Sequence, residues 1–153
     1  MAKSTAWLLH LKDAWRTAVG ERELVHLIEE PTLLDIPVTP FYCRQVLIWE
    51  NQILPVLDLA AWLAGQPLSR AHKLVGVFAY QEHLDAVLSY GAVPLESVPT
   101  RRVVDDQDAC ELPTEPIGWR QVTISCFSDG GHAVPILDLP YIFSGALLSD
   151  VMQ

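Results

Sequence analysis

Charge is scarce in this chain of 153 residues, and positive charge is scarcest: 10 Lys and Arg stand against 19 Asp and Glu, a formal net charge of −9. A body that acidic repels phosphate backbones, whose neutralisation needs clustered Lys and Arg, so nucleic acid is excluded as a partner. The same repulsion excludes docking on anionic lipid. Cysteine is nearly as rare. Cys43, Cys110 and Cys126 are odd in number and widely spaced, with no Cys-x-x-Cys, so neither a zinc knuckle nor a thioredoxin-type pair is available. Buried thiols in a reducing cytosol are the reading they support. Long apolar runs are lacking too. Val46 to Leu63 is the most apolar region, but Glu50, Pro55 and Asp58 interrupt it, which does not fit a membrane span. Met1 to Trp15 holds an apolar stretch too short for a signal-peptide core, broken by His10, Lys12 and Asp13. A soluble, cytoplasmic protein is expected.

Half of the residues are hydrophobic and only 19% are charged, which excludes disorder and promises a dense core. The length allows one domain, or two small lobes sharing a core. A surface so poor in charge is suited to an apolar patch for a partner.

What the sequence does contain is a repeat. Ile53-Leu54-Pro55-Val56-Leu57-Asp58-Leu59 returns as Ala133-Val134-Pro135-Ile136-Leu137-Asp138-Leu139, offset by 80 residues, and both copies run on to a glycine, Gly65 and Gly145. A turn precedes each copy, Glu50-Asn51 in the first and Asp129-Gly130-Gly131 in the second. Each unit therefore reads as a hairpin: Gln45 to Trp49, or Val122 to Phe127, pairs with the returning apolar run. Proline in the returning strand removes a donor and predicts a strand edge or a bulge. Asp58 and Asp138 stand before short helical stretches, Leu59 to Leu63 and Leu139 to Phe143, where a carboxylate caps the first N–H groups. Glycine is a usual helix stop. Two similar lobes follow, with repeat units at about 46–65 and 126–145.

Strands dominate the rest. Trp7 to Leu11 and Arg16 to Val19 predict a hairpin; Glu23 to Glu29 reads as a strand or a short helix. Leu74 to Tyr80 and Leu84 to Tyr90, separated by Gln81-Glu82-His83, predict another hairpin. Pro94, Pro99, Pro113 and Pro116 mark a long irregular stretch that holds Arg101, Arg102 and the acidic run Asp105-Asp106-Gln107-Asp108. Short strands with frequent turns fit small closed barrels.

Signatures of catalysis are missing. There is no G-x-x-x-x-G-K-[ST], no G-x-G-x-x-G and no G-x-S-x-G. The five histidines never fall within four residues of one another, so no local metal site is written in the chain. The acidic run lacks the alternating ligands, glycine and terminal Glu of a calcium loop and reads as solvated. The equivalent places of Asp58 and Asp138 make them caps before they make an acid/base pair. No enzyme, cofactor or metal is expected.

These motifs carry a resemblance. From about Trp7 to Leu148, the chain resembles the CheW family of bacterial chemotaxis coupling proteins. The likeness rests on the acidic segment Val25 to Glu30, the Pro-punctuated loop, and the hairpin ending in Pro-Val-Leu-Asp-Leu, used twice. The resemblance implies a single domain over 7–148: a mostly β fold of two interlocked, five-stranded SH3-like barrels with short helices. It implies a non-enzymatic adaptor that couples a chemoreceptor cytoplasmic tip to the regulatory domain of a CheA-type histidine kinase. Family members use exposed strand ends of the first lobe against the kinase and a groove between lobes against the receptor. This chain departs from the pattern at Trp49-Glu50, where the family carries Arg-Gly, and at Asp85 and Ser89 in the second lobe. Trp49, Glu50 and Asn51 are thus the candidate partner-binding residues, with the indole either anchoring a partner or packing on the barrel. Two other readings stand beside the adaptor. One is a divergent accessory scaffold, for example in a pilus-linked chemosensory system, that does not join the kinase. The other is a small-molecule binder using the cleft between lobes.

Overall fold

The computed structural model describes residues 3–145 and 147. Eleven strands form two curled, mostly antiparallel sheets, the fold class expected from the sequence. The first sheet has the order β10-β11-β2-β1-β9, built from β1 (Lys3–Lys12), β2 (Trp15–Gly20), β9 (Thr100–Asp105), β10 (Thr123–Asp129) and β11 (His132–Leu137). The second has the order β3-β7-β8-β6-β5-β4, from β3 (Leu24–Glu29), β4 (Leu34–Asp35), β5 (Gln45–Trp49), β6 (Gln52–Val56), β7 (Leu74–Tyr80) and β8 (Ser89–Pro94). The middle of the chain thus makes one barrel, and its two outer parts meet to make the other.

The two barrels correspond position by position. In the first hairpin Val46 faces Pro55 and Leu47 faces Leu54; in the second Cys126 faces Pro135 and Phe127 faces Val134, each 80 residues later. Glu50 and Asn51 (φ 51° and 61°) close the first turn, Gly130 and Gly131 (φ 59° and 84°) the second. Two positive φ values in a two-residue loop define the turn whose twist matches the strands. Val56 makes a parallel bridge to Ala92, and Ile136 makes the same bridge to Ala18. The cores follow suit: Leu47, Leu54, Val56, Val75, Val77 and Ala92 fill one barrel, while Phe127, Val134, Ile136, Ala6, Leu8 and Ala18 fill the other.

A third cluster joins the barrels. Leu9, Leu11 and Val19 of the first sheet pack with Phe78 and Val93 of the second around Trp119, Leu59 and Leu139. Each fully buried apolar side chain there contributes about 1.5–3 kcal/mol relative to exposure. Helices α1 (Leu59–Ala64), α2 (Trp119–Val122) and α3 (Leu139–Phe143) lid this seam. Gly65 ends α1 in the left-handed region (φ 72°), its N–H reaching back to Ala61 and Trp62 carbonyls. Among the described residues no helix is long and apolar enough to cross a membrane.

The structure corrects several expectations. Pro55 and Pro135 lie in interior strands, not at edges. Counting from the turn, both occupy non-hydrogen-bonded pairs, so the missing N–H points away from the hairpin partner. There the carbonyl of Pro135 accepts from Thr17 Oγ1 at 2.6 Å instead. The strand after β7 is Ser89–Pro94, not Leu84 to Tyr90. Residues 81–88 form a loop, closed by Gln81 Nε2 on Ala86 O at 2.8 Å, which leaves Leu84 and Val87 almost fully exposed. Asp85 therefore stands in a loop. Arg101 and Arg102 belong to β9, because that segment pairs with β1 (Arg101 with Trp7, Arg102 with Ala6). The undecided Glu23 to Glu29 segment is the strand β3, held by β7. Cys43 and Cys126 are buried, but Cys110 is exposed.

Candidate functional site

Trp49 is the last residue of β5 and is half-buried. Its ring centroid lies 5.2 Å from that of Tyr90, at 56°, and 6.2 Å from that of His26. Tilted aromatic pairs at such spacing add about 0.5–1.5 kcal/mol beyond area burial. The indole therefore leans on the barrel core with one part and is open with another, between the two placements considered above. Glu50 and Asn51, in the turn, are exposed.

Next to this aromatic end lies a surface that sequence reasoning passed over. Ile48 and Ile53 face each other across β5 and β6 and are 63% and 72% exposed. Leu34 of β4, 46% exposed, pairs with Val46, which pairs with Pro55. Single exposed apolar residues need no explanation, but a contiguous cross-strand set marks an interaction face. The signal was present: Val46-Leu47-Ile48-Trp49 does not alternate, so both faces of the strand had to be apolar.

In the second hairpin the equivalent face is different. Ser128 and Ala133 stand where Ile48 and Ile53 stand. Cys126 and Pro135 are buried, and Ala109 extends the edge beside β10 by bridging Phe127, as β4 does beside β5. The end differs as well. At the position of Trp49 is Asp129, 3.6 Å from Arg16 and 3.2 Å from Arg102.

Asp58 and Asp138 precede α1 and α3. Asp58 Oδ1 accepts from Ala61 N–H and Asp138 Oδ1 from Tyr141 N–H, both at 3.2 Å. Their surroundings diverge. Arg70 Nη2 donates to Asp58 at 3.0 Å while its Nη1 donates to Leu11 O at 2.7 Å, so one guanidinium ties the cap in one barrel to β1 of the other. His72 Nε2 lies 3.6 Å from Asp58, and burial holds this imidazole below its ordinary pKa against the pull of Asp58, with Arg70 adding to the depression. These groups, with Phe41, Tyr42 and Arg44, line a cleft of about 310 Å³. Asp138 instead faces Glu23, whose carboxyl is pushed up first by burial and also by Asp138, while its bond from Gly20 N–H (2.7 Å) works the other way. Among the described residues no cluster of three or more His, Cys, Asp or Glu is placed to hold a metal ion.

These surfaces define a class: a mostly β protein of two linked barrels, one of which leaves an aromatic hairpin end and an apolar sheet face open. The chain belongs to the CheW-like domain family, whose model matches residues 15–146. Its fold is similar to that in the crystal structure of the scaffolding protein TtCheW from Thermoanaerobacter tengcongensis, with a TM-score of 0.72 and 11% sequence identity. That match covers 94% of this chain and 89% of the other. No curated protein matches the sequence.

Proposed function

We propose that this chain is a non-catalytic adaptor in a bacterial chemosensory system, acting in the cytoplasm as one unit over residues 7–148. In this reading it holds the regulatory domain of a CheA-type histidine kinase and the cytoplasmic tip of a chemoreceptor. Membership of a scaffold family supports the general role. The observation that carries it is the open face of Leu34, Ile48 and Ile53 beside half-buried Trp49, set against an equivalent face where Ser128 and Ala133 replace the isoleucines and Cys126 and Pro135 are buried. A partner barrel laid on that face would bury the isoleucines, and a part of it reaching round the hairpin end would take the open part of Trp49 as anchor, with Glu50 and Asn51 at the rim, where charge governs encounter. Asp58 and Asp138 act as structural caps.

Calorimetric titration with kinase regulatory domains and with receptor tips tests this. Saturable binding to a regulatory domain is expected, abolished by Ile48→Asp with Ile53→Asp while the circular dichroism spectrum is kept. Undiminished binding by that double variant would remove the face from the reading. Capture of a receptor tip with no kinase binding would favour the accessory scaffold.

A further inference from the structure

The second barrel closes along a thin seam. β9 and β10 are the two edges of the five-stranded sheet. After β9 the chain makes a short 3₁₀ turn at Asp106–Asp108, fixed by reciprocal bonds between Asp105 and Asp108, and then crosses to β10. The crossing is held by the bridge from Ala109 to Phe127 and by Cys110 N–H donating to Cys126 O at 3.1 Å. Here the two thiols meet. Cys110 Sγ lies 3.4 Å from Cys126 Sγ, the first side chain exposed and the second 3% accessible. The remaining thiol, Cys43, is buried in the cluster that joins the barrels.

Two sulfurs in contact, one open to solvent and one enclosed behind it, form the geometry of an attacking and a resolving thiol. We propose that Cys110 and Cys126 are a redox pair whose disulfide seals the barrel seam, with a hydroperoxide as oxidant. The Cys110 thiolate attacks the peroxide oxygen, breaking the O–O bond to give Cys110 sulfenic acid and release the other oxygen as water or alcohol. Cys126 sulfur then attacks the sulfenic sulfur; the S–O bond breaks and the hydroxyl leaves as water with the Cys126 proton. Two electrons pass from the thiols to one peroxide, and a dithiol such as dithiothreitol reverses the change by exchange. Burial, with Cys110 beside it, pushes the Cys126 thiol up to about 12, which reserves the first step for the exposed partner.

The link would join residues 16 apart across a seam otherwise held by few bonds. Constraining such a loop raises stability chiefly by limiting the unfolded chain.

The test is one equivalent of hydrogen peroxide on the whole protein, followed by intact mass and non-reducing peptide mapping. Expected are loss of the mass of two hydrogens, a Cys110–Cys126 linked peptide, and a rise in melting temperature that dithiothreitol cancels. Cys43→Ser should behave like the parent. In Cys126→Ala the sulfenic acid should persist on Cys110 and be trapped by dimedone. A parent protein that gives chiefly intermolecular dimers, over-oxidised Cys110, or a Cys126 still free to alkylate would overturn the proposal. Those three outcomes are read on the parent chain, so they hold even if a variant does not fold.

Discussion

At the end of β5 and β6, Trp49 leans on Tyr90 and His26; at the end of β10 and β11, Asp129 binds Arg16 and Arg102. The places correspond. Asp129 is 80 residues from Trp49, and Arg16 stands two residues before Ala18 as Tyr90 stands two before Ala92, the residues of the matching parallel bridges. One backbone plan thus carries two chemistries. The ionic end satisfies its own groups, a carboxylate shared by two guanidiniums. The aromatic end is only half covered. The outer faces repeat the contrast, with Ser128 and Ala133 against Ile48 and Ile53. Duplication lets the second barrel satisfy its hairpin end internally while the first leaves an aromatic end and an apolar face open.

The most severe way to break this comparison is through the matched cores. Phe127→Ala should cost about 3–5 kcal/mol and Leu47→Ala about 2–5 kcal/mol. Because one cluster spans both sheets, urea denaturation should show a single transition in each variant. Two separated transitions would mean that the barrels are independent.

The hairpin ends come next. Trp49→Ala should weaken binding of a kinase regulatory domain by at least ~2 kcal/mol. Asp129→Ala should leave that binding unchanged and cost stability of about 1–3 kcal/mol, since the side chain is only 25% exposed and its loss strips two guanidiniums of their acceptor. Titration calorimetry with paired melts separates the two; equal effects on binding would erase the distinction.

The caps should differ more gently. Asp58→Ala and Asp138→Ala each remove a cap worth about 0.5–2 kcal/mol. The first should cost more, since it also strips Arg70 of its carboxylate. A larger loss at Asp138 in guanidinium melts would contradict the structure.

Smallest is a pH effect. Glu23 has its folded pKa raised above 4.5, so the folded chain holds that proton more tightly than the unfolded one, and stability falls as pH rises through the raised value. His72 works in the opposite sense: its folded pKa is below 6.5, so stability falls as pH drops through 6.5 toward the lowered value. Glu23→Gln should flatten the first slope and His72→Gln the second, read from midpoints of denaturation across pH. Unaltered slopes would show that neighbours other than these set the response.

Much of this architecture was legible because the repeat wrote it twice. Identical Pro, Asp and Gly at a fixed offset located both hairpins and both short helices. β9 was hidden because Pro94 and Pro99 before it and Pro113 and Pro116 after it punctuate the segment like a loop, and only its pairing with β1, nearly a hundred residues earlier, makes it a strand. Residues 84–88 of the loop read as the start of a strand because Leu84, Val87 and Leu88 are apolar, although they bury little. Of the candidate site, Trp49 could be named but not placed. Ile48 and Ile53 drew no notice because an unalternating run does not say which residues face out. Arg70 and His72 were unreadable as partners of Asp58, since a loop brings them back to it.

The order in which the strands leave the ribosome gives the divided barrel a cost in time. β1 and β2 are made first, yet β9 and β11, which flank them, come last. Through most of synthesis the opening hairpin carries two bare edges, while β3 to β8 can already close beside it. A nascent chain in that state offers its unpaired backbone to any strand nearby, including another copy's. The pairing that finally closes the second barrel therefore spans most of the described chain, the kind of non-local contact that slows folding.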